Sequence, residues 1–127
     1  MNENKILVPI EKNSYEVFIC SGLLFKIGDK LVELGIDNKR KILIISNNEI
    51  AKFFGNTLLD NLRKNNYSAN IFIIKEGEAN KNISTMLEIY DAAFECGMER
   101  GSLMMALGGG IVGDITGFAS ATWLRGL

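Results

Sequence analysis

The sequence predicts an α/β fold: a doubly wound, mostly parallel sheet with helices on both faces, preceded by a β-hairpin. Three observations predict it. Short, mainly apolar runs at Lys41 to Ile45, Asn70 to Ile74 and Leu103 to Leu107 have the length and composition of strands buried on both faces. Segments with apolar residues at helical spacing alternate with those runs, the order of βαβ units and hence of a parallel sheet. Before them stand two β-rich runs separated by four polar residues, the pattern of a hairpin.

The elements follow in order. Lys5 to Ile10 and Tyr15 to Cys20 flank Glu11-Lys12-Asn13-Ser14. Pro9 donates no ladder hydrogen bond, which puts the first strand at an edge or a bulge. Ser21-Gly22 punctuates, and Leu24, Ile27, Leu31 and Leu34 recur at helical spacing until Gly35 closes the helix. The strand from Lys41 ends in Ser46-Asn47-Asn48. Ile50, Phe53, Phe54, Leu58 and Leu62 then mark a helix that stops at Asn65-Asn66. The strand from Asn70 runs into the charged loop Lys75 to Lys81. Ile83, Met86, Leu87, Tyr90, Ala93 and Phe94 mark an amphipathic helix with Gly97 past its end. After Leu107 come three glycines, and a helical run begins at Ile111.

Composition narrows the function classes. The chain has 127 residues, 47% of them hydrophobic, which suits one domain with a real core. Its 14 basic and 15 acidic residues leave a net charge of −1, so no nucleic-acid surface is expected. Neither a signal-peptide layout nor a membrane-length apolar run is present, and the expected location is the cytoplasm. Cys20 and Cys96 sit among apolar residues and read as buried, reduced thiols rather than a pair. With no histidine in the chain and no paired cysteine spacing, a His/Cys zinc site cannot be assembled from it alone.

In such sheets ligands sit beyond the carboxyl ends of the strands, where the loops 46–49, 76–81 and 108–110 converge. Gly108, Gly110 and Gly113 satisfy G-x-G-x-x-G between a strand and a helix. That turn leaves backbone N–H groups unpaired at the positive end of the helix dipole, which favours an anion, usually phosphate. A turn that merely packs tightly is the alternative. Asp114, in the first turn, either complements the dipole or serves a ligand. Arg125 falls near it on the helical wheel but about 16 Å further along an unbroken axis. Gly113, Gly117 and Ala121 form a small-residue stripe, which predicts another backbone close by. Ile111, Ile115, Phe118 and Trp123 read as core. Glu78 and Lys81 are either a solvated cluster or acceptor and cation for ribose and phosphate. Asn47 stands in the matching place after its own strand, as a ligand contact or as a turn residue or helix N-cap.

Ala106-Leu-Gly-Gly-Gly-Ile-Val-Gly-Asp-Ile-Thr-Gly-Phe-Ala-Ser-Ala-Thr-Trp-Leu-Arg-Gly126 closely resembles the signature of the 3-dehydroquinate synthase family. Glu76-Gly-Glu-Ala-Asn-Lys81 resembles that family's second NAD loop. The resemblance implies a Rossmann-like NAD-binding domain over residues 1–127, truncated and lacking the family's helical metal-binding domain. It implies NAD contacts from Asn47, Glu78, Lys81, Gly109, Gly110, Ile111, Val112, Gly113 and Asp114. Arg125 matches the family's phosphate-binding arginine, which serves the substrate site across a homodimer. The family usually has aspartate at Asn47; an amide hydrogen-bonds hydroxyls more weakly than a carboxylate. Asn80 departs from the residue usually found before the lysine.

The family's metal ligands, a glutamate and two histidines, lie beyond Leu127, as do its substrate lysines. The resemblance therefore assigns no catalytic and no metal-binding residue to this chain, and expects the divalent metal, zinc or cobalt, only in the full-length enzyme. The implied reaction is an NAD- and metal-dependent carbon–oxygen lyase step of the shikimate pathway. It converts the sugar-acid phosphate 3-deoxy-D-arabino-heptulosonate 7-phosphate to 3-dehydroquinate and phosphate. The chain alone is expected to be inactive. A related sugar-phosphate cyclase, a metal-dependent polyol dehydrogenase, or a stand-alone dinucleotide-binding module are the other readings. The Trp-Leu-Arg-Gly ending favours the synthase.

Overall fold

In the structure, a computed structural model that describes residues 3–127, strand β3 (Ile42–Asn47) lies at the centre. Its run Ile42 to Ile45 is at most 1% exposed. β4 (Ala69–Ile74) flanks it on one side and β5 (Leu103–Leu107) on the other, both parallel, in the order β4-β3-β5. Side chains alternate between the faces of a strand, so each face of β3 needs its own cover. Leu43 and Ile45 pack with Met86, Ile89 and Ala93 of α3 (Ile83–Glu95) and with Val112, Ile115 and Ala119 of α4 (Gly110–Thr122). Ile42 and Ile44 pack with Leu58, Leu59 and Leu62 of α2 (Asn48–Lys64), with Ile27 and Leu31 of α1 (Ile27–Glu33) against them. Two helices cover each face, which is the doubly wound arrangement expected.

The hairpin is its own two-stranded sheet, β1 (Asn4–Val8) against β2 (Tyr15–Ile19), paired from Asn4↔Ile19 to Val8↔Tyr15. Pro9 lies just past β1, so it terminates that strand instead of bulging it. A buried cation ties the hairpin to α1. Lys30 Nζ lies 2.8 Å from the Glu3 carboxylate and 4.0 Å from the Phe18 ring centroid.

Several expectations are corrected. The first helix is short, and its opening turn, Leu23–Lys26, is a 3₁₀ turn. Cys20 and Cys96 are free thiols, as expected, but half-buried. Phe118 is 54% exposed and not core, whereas Ile111 and Trp123 are partly buried against the core and Ile115 is buried within it. Gly113, Gly117 and Ala121 face outward, and a Cβ built on either glycine meets nothing within 4 Å. No backbone among the described residues covers that stripe. The last helix also stops earlier than its pattern suggests. Trp123 turns extended, and Leu124 and Arg125 are left-handed, with φ of 49° and 66°. Arg125 is therefore off the wheel that carries Asp114.

Candidate functional site

Parallel pairing brings the carboxyl ends of three strands to one edge: Asn47 is opposite Ile74, and Ser46 is opposite Leu107. Ser46, fully buried, donates from Oγ to the Leu107 carbonyl at 2.6 Å. That bond fixes the last residue of β5 immediately before the glycine turn. From sequence Ser46 looks like a loop residue; it is the penultimate residue of β3.

The three glycines divide the work. A Cβ on Gly108 would lie 2.8 Å from Val112 Cγ2, so this glycine allows close packing of turn on helix. Gly109 is the N-cap of α4, and its carbonyl accepts from the Gly113 N–H at 3.0 Å. Having no side chain, it leaves the first turn without a capping oxygen. The helix opens at Gly110, one residue before the expected Ile111. The N–H groups of Gly110, Ile111 and Val112 are those that no intrahelical carbonyl can reach. A Cβ on Gly109 or Gly110 would meet nothing within 4 Å. The volume that a side chain would fill at these two glycines is therefore open.

Lys81 reaches this turn from the loop after β4. Its Nζ lies 2.9 Å from Asp114 Oδ2, and both side chains remain solvent-accessible. Together with Asn82, Ile83, Met86 and Phe118 they line a cleft of about 400 Å³. Because α4 opens at Gly110, Asp114 is its fifth residue and lies outside the first turn, contrary to expectation; its partner is Lys81 rather than the helix dipole. Its hydrogen bond, then its charge, raise the Lys81 ammonium above the ordinary 10.5, and Glu78 adds to this. A raised value means that the pair's contribution to stability is fully present below the ordinary pKa and fades as pH rises through the raised one. Observed by NMR, Lys81 should titrate above free lysine. In Asp114→Asn it should fall back toward the ordinary value, and an unmoved titration would break the assignment.

The loop carrying Lys81 is held at several points. The Glu76 carboxylate accepts from the Glu49 N–H at 3.2 Å, joining the loop to the start of α2. Asn80 Nδ2 donates to the Glu76 carbonyl at 2.6 Å, and Thr85 Oγ1 donates to the Asn80 carbonyl. Asn80 therefore shapes the loop, a role sequence reasoning missed along with that of Glu76. Glu78 is exposed at the head of the 3₁₀ turn Glu78–Asn80. Asn47 caps α2, its Oδ1 accepting from the Ile50 N–H at 2.9 Å. Of its structural roles, the N-cap is the one formed. Arg125 lies past the far end of α4, about 18 Å along the axis for a helix of this length.

The family model described as 3-dehydroquinate synthase N-terminal matches residues 71–127. A 3-dehydroquinate synthase from Prochlorococcus marinus subsp. pastoris (strain CCMP1986 / NIES-2087 / MED4) is 60% identical over 127 residues, 100% of this chain and 35% of the relative. The chain belongs to the 3-dehydroquinate synthase family. It spans about a third of the length of the curated synthases it matches (35%). Among solved structures, a 2-deoxy-scyllo-inosose synthase complexed with carbaglucose-6-phosphate, NAD+ and Co2+ superimposes with a TM-score of 0.82 at 20% identity. That match covers 98% of this chain and 33% of the other, and it establishes the shared fold. A 2-epi-5-epi-valiolone synthase from Streptomyces hygroscopicus subsp. jinggangensis 5008, with NAD+ and Zn2+ bound, gives 0.62 at 26% identity, over 68% of this chain and 24% of that one.

The residues matched to the 3-dehydroquinate synthase family include the loop 76–81, the glycine turn and Asp114. The metal is a different matter. The chain has no histidine, and among the described residues no three of His, Cys, Asp or Glu come together. This residue set does not fit a metal centre. No helix among the described residues is long and apolar enough to cross a membrane.

Proposed function

We propose that this chain forms the amino-terminal NAD-binding domain of a cytoplasmic 3-dehydroquinate synthase, which converts 3-deoxy-D-arabino-heptulosonate 7-phosphate to 3-dehydroquinate and phosphate. One observation carries the reading. The uncapped first turn of α4 leaves the side-chain volume at Gly109 and Gly110 open, beside the Lys81–Asp114 pair, at the carboxyl edge of the parallel sheet. The cofactor fits that cradle, because a diphosphate needs donors within about 3 Å and no side chain in the way. The NAD+ bound to the valiolone synthase from Streptomyces hygroscopicus supports the same reading.

Each residue then has a role. The N–H groups of Gly110, Ile111 and Val112 donate to the diphosphate, and Gly109 and Gly113 keep the approach clear. Asp114 holds the Lys81 ammonium at the mouth of the turn, where the cation offsets phosphate charge. Glu78 accepts from a ribose hydroxyl. Asn47, with Oδ1 engaged by Ile50, offers its Nδ2 group to the other ribose. A dinucleotide held there by these residues would supply a hydride acceptor for the transient oxidation of a substrate ring hydroxyl, the hydride coming from the carbon that bears the hydroxyl and the proton from its oxygen. Arg125 binds the substrate phosphate, across the interface of a homodimer.

The chain spans 35% of the length of the matched synthase, and the family resemblance implies further NAD contacts in the rest. Three or four missing hydrogen bonds at about 1 kcal/mol each weaken binding by roughly two to three orders of magnitude. Calorimetry should show NAD binding to this chain roughly two to three orders of magnitude more weakly than to a complete synthase. An equal affinity would mean that the site is complete as it stands, and would favour a stand-alone dinucleotide-binding module.

A further inference from the structure

We propose that Tyr90 is a positioning residue for Arg125, acting through Trp123; this rests on Arg125 being the substrate's phosphate ligand. Leu124 and Arg125 are consecutive left-handed residues without being glycine, a backbone state that surrounding structure has to hold in place. The turn that contains them is closed by two hydrogen bonds, Gly126 N–H to the Trp123 carbonyl at 2.8 Å and Leu127 N–H to the Ser120 carbonyl at 2.9 Å. Trp123 is therefore the hinge from which the reversal starts, and whatever fixes its ring fixes the direction in which Arg125 leaves the helix.

Nothing polar among the described residues fixes that ring, because the indole Nε1 is buried without a hydrogen-bond partner. The ring packs against the core, and Tyr90 is stacked on it with centroids 5.8 Å apart and planes 26° from parallel. The Tyr90 hydroxyl also shares a hydrogen bond with Thr122 Oγ1, and Thr122 Oγ1 donates back to the Phe118 carbonyl at 2.8 Å. One side chain on α3 thus clamps both the last residue of α4 and the first residue of the turn. Both of these contacts, Trp123 and Thr122, lie at the end of α4 away from the glycine turn. The influence of Tyr90 on the reaction is confined to the phosphate end.

Two arms test this. In this chain, Tyr90→Leu should shift the Leu124 and Arg125 amide resonances and redden the fluorescence of Trp123, the single tryptophan, while Tyr90→Phe keeps most of the stack and stays near the original. In the complete synthase, Tyr90→Leu should raise KM for the sugar-acid phosphate by about tenfold, well under the hundredfold that a 1 Å misplacement can cost. NAD affinity should be unchanged, Tyr90→Phe should recover most of the loss, and adding Arg125→Ala to Tyr90→Leu should cost little more than Arg125→Ala alone. Unmoved turn resonances, fully additive effects, or a loss in kcat and NAD affinity with KM intact would overturn the proposal. If Arg125→Ala leaves KM unchanged, the phosphate role of Arg125 fails and the proposal falls with it. That failure is distinct from failure of the clamp, which the first arm reads without substrate.

Discussion

Gly110→Val in a complete synthase carrying this segment should lower NAD affinity by at least about 100-fold, or roughly 2.7 kcal/mol, with little loss of stability. The backbone at Gly110 is ordinary helix at its first position, and a Cβ there meets nothing within 4 Å. Valine is therefore compatible with the fold, and the change in stability should stay within about 1 kcal/mol. The same branched side chain occupies the volume a diphosphate must enter to reach the donors of Gly110, Ile111 and Val112. Gly108→Val gives the contrast. There the added carbon would lie 2.8 Å from Val112 Cγ2, and overpacking of that kind costs about 1–3 kcal/mol of stability. NAD affinity and thermal midpoint measured on both variants separate the two roles. If Gly110→Val keeps its affinity and loses its midpoint, the glycine serves packing and the cradle is misassigned.

Ile44→Ala should damage the fold severely. Ile44 is fully buried on the central strand, paired with Ile71 on one side and Met105 on the other, and it packs on α2. Truncation there removes buried methyl groups and leaves a cavity that a strand pinned on both sides cannot close, at a cost of about 2–5 kcal/mol. For a domain of this size the thermal midpoint should fall by about 10 °C or more. Urea denaturation would check it, and a shift of the midpoint below about 0.5 kcal/mol-equivalent would mean that β3 is not the centre of the sheet.

The parallel sheet was legible because Ile42 to Ile45 and Leu103 to Leu107 are unbroken apolar runs of strand length, and the glycine turn because a strand precedes it and a helix follows. Only the central run is buried as expected, since β5 is an edge strand, half-buried with Ala106 exposed. Helix faces were less so. Ile83, Leu87 and Phe94 follow the helical period of α3 as faithfully as Met86 and Ala93, yet only the latter two are buried; periodicity marks an apolar stripe and does not say how much of it is covered. Long-range polar contacts were not legible at all. Lys81 and Asp114 stand 33 residues apart, and no local pattern announces that one charge meets the other, nor that Glu76 accepts from Glu49. The turn at Leu124 and Arg125 was hidden for another reason: a left-handed residue is announced by glycine or asparagine, and neither is there. Asn47 showed the opposite difficulty, because capping a helix and contacting a ribose call for the same side chain.

The most direct measurement is an NMR titration of this chain with NAD, following every backbone amide. Perturbations should concentrate at residues 109–114, at 78–81 and at Asn47, with the largest at Gly110 and Ile111. Shifts centred instead on residues 37–40 and 99–102, at the opposite end of the sheet, or no shifts at millimolar NAD, would contradict the account.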